Sequence, residues 1–318
     1  MAITSYDKAL SIGVATWLND YRDNVTNTSP TLKAMKALGG VRTEAGGTVL
    51  LRPVRHTANT VLVVGATPAD ASTYVVSAES DQVADASFNW AQLWAGIGIS
   101  ERELNKLSND PAKMATYVNS YVKNAIYDMG KKINTDMHAT GYAYGSETAI
   151  GNLNGAIYTA GTYGGIDGGA QAFWRSTVTD AASGVASLAM VDTLLTTVQS
   201  VDGEQPNLIV TTAGIFSKLR SAMVGYQSIV LGNSDPGALG MQACSYNGAV
   251  MVADASCIAE TIYAINTNTL QLVLSSDAIQ IDEIKDMTPM RKWRALWNCQ
   301  LTCDSRKANG KIITVKLA

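Results

Sequence analysis

The chain carries only two histidines, His56 and His138, in 318 residues, and charged side chains make up just 16% of it. Folded chains usually carry about 25% charge, so much of this surface is not built to face water. Two imidazoles leave little for acid–base or metal chemistry. Neither has a serine, cysteine or carboxylate at a spacing that would activate a nucleophile. The four cysteines are Cys244, Cys257, Cys299 and Cys303. The amino terminus lacks a basic segment followed by an apolar core, so no signal peptide is expected and the thiols should be reduced. Cys299 and Cys303 would point to one side of a strand, but nothing nearby completes a set of about four zinc ligands. Buried, weakly polar thiols are the expectation. No apolar run approaches the ~18 residues of a membrane span. GxxxxGK[ST] and GxSxG are absent, and no GxGxxG joins a strand to a helix. No catalytic, cofactor or metal residue can therefore be nominated.

Charge is unevenly placed. The balance is +3 over residues 1–60, −4 over 61–109, +1 over 110–138, −7 over 139–280 and +4 over 281–318. A generic nucleic-acid binder would be strongly basic throughout. This chain instead has basic ends around an acidic middle, which suits a polarised subunit.

Periodicity supplies the elements. Tyr6, Ala9, Leu10, Gly13, Val14, Trp17, Leu18 and Tyr21 recur at helical spacing, and the NVTNTSP segment ending at Pro30 should break that helix. From Thr48 the text turns β-like, with TVLLRPVRHT, TVLVV and TYVV, then FNWAQLWAGIGIS over 88–100. Extended runs around a polar middle predict a long hairpin. Asp110-Pro111 is a helix start. Met114, Val118, Tyr121, Val122, Ala125, Met129, Ile133 and Met137 follow as one stripe, with Gly141 as the stop. About 28 residues at 1.5 Å each make a rod of roughly 42 Å. His138 falls near its end, where a protonated ring would favour the helix dipole. Glu101, Glu103 and Asp110 read as a solvated approach to that helix.

Beyond it, Gly151–Arg175 is rich in glycine and aromatics and has no nucleophile beside a base, so contact rather than chemistry is expected. Ser187 should cap a helix, Pro206-Asn207 should introduce the strand LIVTT, and Gly214–Met223 should be helical. Ala249–Val252, Thr261–Ile265 and LQLVL should be strands. These form an α/β unit. The basic, β-like end of the chain is expected to return to the sheet containing residues 88–100. Trp90, Trp94, Trp174, Trp293 and Trp297 are either core or contact residues.

The order of these elements, with FNW and GISERE at 88–103, NLNGAIY at 152–158 and GTYGGID with FWR at 161–175, resembles one family. PNLIVTT at 206–212, YAINTNTL at 263–270 and QLTCDSRKANG at 300–310 add to it. The sequence is similar to the major capsid proteins of tailed bacteriophages. The resemblance implies an α+β, Hong Kong 97-type fold, also used by encapsulin shells. Its parts would be an N-terminal arm (1–45), an extended β-hairpin loop (46–87), a peripheral domain with a long spine helix (88–140 and 276–318) and an α/β axial domain (141–275). It implies a structural protein rather than an enzyme. Copies would self-assemble through hexamers and pentamers into an icosahedral head, built in the host bacterial cytoplasm, around nonspecifically held double-stranded DNA. Scaffolding, portal or decoration proteins would be further partners, and no membrane would be involved. Arg52, Arg55, Trp90 and Trp94 are the expected inter-subunit contacts.

Some relatives weld neighbours through a lysine on the extended loop, but here no lysine occurs between Lys36 and Lys106. Arginine stays protonated and cannot replace it as a nucleophile, so no covalent mesh is expected. An encapsulin-type compartment is the alternative within the same fold. An α/β enzyme and a tail-tube protein are alternatives outside it.

Overall fold

The computed structural model describes residues 29–56, 83–107, 111–142, 148–223, 243–275, 279–284 and 290–317. The expected helix over 6–21, the runs TVLVV and TYVV, and Asp110 lie outside the described residues.

The first described element is helix α1 (Pro30–Ala37), opened by Pro30 and capped by Ser29 Oγ, which accepts from Leu32 N; the expected break before Pro30 lies outside the described residues. Proline suits the first turn because its fixed φ is helical and the N–H it lacks would have no partner there. α1 buries Thr31, Leu32, Ala34 and Met35.

Strand β1 (Val41–Glu44) follows, then β2 (Val49–Arg55), β3 (Val83–Asn89) and β4 (Ala91–Ser100). β2 and β3 pair antiparallel from Val49↔Asn89 to Arg55↔Val83. Their alternation buries Leu50, Arg52 and Val54 against Ala86 and Phe88, and leaves Val49, Leu51 and Val83 exposed.

A short helix α2 (Glu101–Leu107) leads to α3 (Pro111–Met137), 27 residues long. The predicted stripe is its buried face, with Met114, Val118, Val122, Ala125, Met129, Ile133 and Met137 all in the core and Tyr121 half-buried. Each large apolar side chain buried this way contributes roughly 1.5–3 kcal/mol, which holds a helix of modest propensity on the sheet. α3 ends four residues before the predicted Gly141. The carbonyls beyond its end are taken by NLNGAIY: Asn152 Nδ2 donates to Ala139 O and Gly141 O, and Asn154 Nδ2 donates to Thr140 O at 2.8 Å.

The rest of the chain forms α4 (Leu153–Ala156), β5 (Thr162–Tyr163), β6 (Ile166–Asp167), β7 (Thr177–Asp180), α5 (Leu188–Asp202), β8 (Leu208–Thr211) and α6 (Ala213–Met223). It continues with β9 (Ala243–Tyr246), β10 (Ala249–Ala253), β11 (Ile262–Ile265), β12 (Leu270–Ser275), β13 (Gln280–Ile284), β14 (Met290–Cys303) and β15 (Gly310–Ile313). Ser187 Oγ caps α5 as predicted.

One sheet runs β1-β12-β14-β13, with β4 also on β14; the other runs β7-β15-β11-β8-β10-β9. α5 and α6 bury Val191, Leu194, Leu195, Val198, Phe216 and Leu219 against Ile209, Met251 and Ile312. The opposite side of that sheet, through Leu208, Val210, Tyr263 and Ile265, joins the larger core with α1, α3, β4 and β14.

The end of the chain departs from expectation in one respect. β14 does return to β4, pairing from Met290↔Ser100 to Cys299↔Ala91. β15 does not follow it. It enters the six-stranded sheet between β7 and β11, because Ile312 completes the apolar floor under α5.

Candidate assembly interface

Thr31, His138 and Asp254 meet in the interior, where Thr31 Oγ1 donates to Asp254 Oδ2 at 2.6 Å and lies 3.2 Å from His138 Nε2. The grouping looks like a nucleophile, base and carboxylate, but its geometry excludes that role. One ring nitrogen, Nε2, faces both partners, the carboxylate 3.9 Å away, whereas a relay needs the two nitrogens on opposite partners. All three side chains are buried, so no substrate reaches them. Asn134 Nδ2 and the backbone N–H of Ser256 also donate to Asp254. Burial tends to raise the Asp254 carboxyl, but these hydrogen bonds and the nearby His138 prevail and hold it below its ordinary value. Burial lowers the His138 pKa, although Asp254 opposes this. The ring is therefore neutral near pH 7, and the protonated, dipole-stabilised form expected from the sequence is not what the site favours. This node ties α1 and α3 to the turn after β10.

The cysteines are similarly placed. Burial pushes the Cys257 and Cys299 thiols up to about 12, which suppresses the reactive thiolate. Among the described residues no three histidine, cysteine or carboxylate side chains cluster to hold a metal. The approach to α3 is a shallow, open depression lined by Ser100, Glu101, Arg102, Asn105 and Lys106. Glu103 there accepts from the Tyr117 hydroxyl.

The Gly151–Arg175 segment is organised around a residue the sequence did not single out. Arg306 is fully buried. Its Nε donates to Ala156 O at 2.8 Å, and Nη2 donates to Gly155 O and Tyr158 O, both at 2.9 Å. Nη1 reaches Trp174 O at 3.1 Å and Gly161 O at 3.5 Å. The guanidinium also lies 5.7 Å from the Tyr163 ring centre. A planar fork of five N–H donors suits this cage of carbonyls, as a lysine would not. Next to it, Lys311 Nζ donates to Asn154 O and sits 5.2 Å from the Tyr158 ring centre. Burial, helped by the nearby Arg306, lowers its pKa to about 8.

This ordered segment is the seat of the β2–β3 hairpin. Ser87 N donates to Gly164 O at 2.8 Å, Phe88 meets the Tyr163 ring edge-on at 5.3 Å, and His56 stacks on Phe173 at 4.9 Å. Gly164 has φ +61°, and a Cβ there would lie 2.7 Å from Phe88 Cζ.

The four candidate contact residues are not brought together. Arg52 faces inward: its Nη2 donates to Glu44 at 2.6 Å and its Nε lies 3.5 Å from Asp304. It clips the hairpin to β1 and to the turn after β14. Burial raises the Asp304 carboxyl even though Arg52 and Arg42 draw it down. Arg55 is on the exposed side of β2. Trp90 is half-buried at the β3–β4 junction and donates from Nε1 to Gly47 O at 3.0 Å. Trp94 stands 70% exposed on β4, whereas Trp174, Trp293 and Trp297 are core. The exposed apolar groups of the hairpin, Val49, Leu51 and Val83, were not nominated from the sequence. The alternation in VLLRPVR could have found them.

No family model and no curated protein matches the sequence. Solved structures do match. The capsid subunit of cyanophage A-1(L) aligns with a TM-score of 0.64 and 16% identity, over 89% of this chain and 92% of its own. The capsid of an empty GTA particle aligns at 0.55 and 11%, over 87% and 95%. The holo-SrpI encapsulin complex from Synechococcus elongatus aligns at 0.50 and 8%, over 89% and 88%. This chain therefore has the tailed-phage, Hong Kong 97-type capsid fold, a mixed α+β architecture shared with encapsulin shells.

Proposed function

We propose that this chain is a major capsid protein whose copies close into an icosahedral head around double-stranded DNA. The observation that carries the proposal is the capsid fold, matched over 89% of the chain in the cyanophage subunit. The higher TM-score and identity to that subunit than to the encapsulin favour the phage role over a cargo compartment.

Within this reading, residues 1–45 are the arm, whose described end, α1 and β1, packs into the subunit's own core and sheet rather than reaching away from it, and 46–87 are the extended loop. The peripheral domain is 88–140 with 276–318, and α3 is its spine. Residues 141–275 are the axial domain, with β15 lent to its sheet and β12 lent in turn to the sheet of β4 and β14. The hairpin supports a contact role because it puts Val49, Leu51 and Val83 in solvent. Such a surface is costly in isolation and useful against another copy. Many modest contacts per copy sum to a stable closed particle. The chain acts as a structural component of the virion, assembled in the host cytoplasm, and not as an enzyme. Arg55, Trp90 and Trp94 remain the contact candidates. Arg52 takes part by stiffening the hairpin from within.

Electron microscopy of the purified protein, with nucleic acid measured in the particles, tests this. Closed shells holding nuclease-protected duplex DNA are expected. Shells holding protein cargo and no DNA would favour the compartment, and monodisperse monomers with a substrate-dependent activity would end the proposal.

A further inference from the structure

Asparagine is followed by glycine at three places, Asn154-Gly155, Asn247-Gly248 and Asn309-Gly310. Such a pair has a latent reaction of its own. Glycine has no Cβ to hinder its backbone nitrogen, so that nitrogen can close a five-membered imide on the preceding side-chain amide wherever the chain turns freely enough. The fold treats the three pairs differently. Asn309 is buried; its Oδ1 accepts from Asn266 N at 2.8 Å and its Nδ2 donates to Ser305 O at 2.9 Å. Gly310 beside it is paired on both sides within the six-stranded sheet. Asn154 is half-buried in α4, with Oδ1 accepting from Lys311 Nζ and Nδ2 donating to Thr140 O at 2.8 Å. The Gly155 N–H that would attack it donates to Asn152 Oδ1 at 2.7 Å.

Asn247 and Gly248 are both exposed. They are the two central residues of the turn between β9 and β10, at φ +47° and +79°, with Tyr246 paired to Ala249. Two left-handed residues, Asn then Gly, are what a two-residue hairpin favours. The Asn247 side-chain amide has no partner among the described residues, and Gln205 Nε2 donates to its backbone carbonyl across the surface.

We propose that Asn247-Gly248 is a site of spontaneous deamidation, by which the chain records its age at the edge of the six-stranded sheet. The Gly248 N–H gives its proton to hydroxide, its nitrogen bonds to Asn247 Cγ, and the bond from Cγ to Nδ2 breaks to release ammonia. Water then opens the imide. Opening at Cγ gives aspartate, and opening at the backbone carbonyl gives isoaspartate, whose main chain runs through the former side chain. Nothing is oxidised or reduced, and solvent is the only co-reactant. Either product adds a negative charge to residues 139–280, which already carry −7. Isoaspartate also puts an extra atom into the main chain of a turn that holds Tyr246 opposite Ala249. β9 has β10 as its one neighbour in the sheet, so it should loosen.

The test maps peptides of the whole protein by mass spectrometry, fresh and after storage in mildly alkaline buffer, with isoaspartate scored by enzymatic methylation. The peptide holding Asn247 should convert from amide to acid roughly tenfold or more faster than those holding Asn154 and Asn309, whose reaction has to wait for local opening. In denaturant the three rates should converge. Asn247→Gly keeps a residue that accepts the left-handed turn and should form no isoaspartate there. Amide exchange over 243–246 should quicken in the aged parent and stay unchanged in this variant. If Asn247 survives in the folded protein yet reacts in denaturant, or if Asn154 or Asn309 keeps pace with it, the inference is overturned. Deamidation that leaves exchange over 243–246 unchanged would overturn the loosening of β9. None of these outcomes depends on the shell function.

Discussion

Arg306 Nη1 donates to the backbone carbonyl of Trp174 at 3.1 Å, across 132 residues of chain. That bond and the four others from the same guanidinium turn a glycine-rich segment into a fixed platform for the β2–β3 hairpin. The first prediction follows from it. Arg306→Ala removes five hydrogen bonds; Gly161 O, Tyr158 O and Ala156 O keep Gly168 N, Ser176 N and Ser176 Oγ as donors, but the cage loses the group that joins its carbonyls, and the subunit should be destabilised by about 3 kcal/mol or more. Arg306→Lys keeps the charge but not the fork, and should fall in between. Denaturant midpoints, read with protease sensitivity in 151–175, check the ranking.

Gly164→Ala should loosen the hairpin from its seat. The new Cβ would lie 2.7 Å from Phe88 Cζ and 3.0 Å from Ala86 Cβ, on a backbone with φ +61°. Overpacking and the left-handed conformation together should cost roughly 1–3 kcal/mol. Hydrogen exchange should show lost protection at the Ser87 amide, which donates to Gly164 O.

Arg52 and Trp94 should separate folding from assembly. Trp94→Ala removes an exposed ring and should change subunit stability by no more than about 0.5 kcal/mol, while raising the protein concentration needed to form particles. Arg52→Ala breaks the ties to Glu44 and Asp304 and should destabilise the subunit itself. Unfolding and light scattering on both variants distinguish the effects.

Acid should weaken the node of Thr31, His138 and Asp254 in two stages. The folded pKa of His138 is depressed. As pH falls below its ordinary value of about 6.5, the unfolded chain takes up a proton that the folded chain resists, and stability drops. The Asp254 pKa is also depressed, so its stabilisation persists above the ordinary carboxylate range and is lost as pH falls through the folded value. His138→Gln should flatten the stability slope just below about pH 6.5 while leaving the more acidic loss in place. Unfolding free energy measured against pH decides.

Mature particles should run as single subunits on a denaturing, reducing gel. The loop has no lysine amine to form an isopeptide, and its arginines stay protonated. A ladder of multimers would contradict this.

Local pattern alone specified a good part of the molecule. The 3.6-residue spacing from Met114 to Met137 defined the buried face of α3, and the apolar runs at 208–211, 249–253 and 262–265 defined central strands, because each residue's burial there follows from its neighbours in the chain. Pro30 was legible only in part, since the same ring that blocks a preceding turn favours a following one. The tertiary structure alone decided the rest. It sent β15 into the six-stranded sheet, turned Arg52 inward between Glu44 and Asp304, and drew Arg306 into the carbonyls of 155–174. Buried charges and late strands are settled by partners more than a hundred residues away, or by the packing of a whole sheet. No periodicity records such partners; only the closed core brings them within reach.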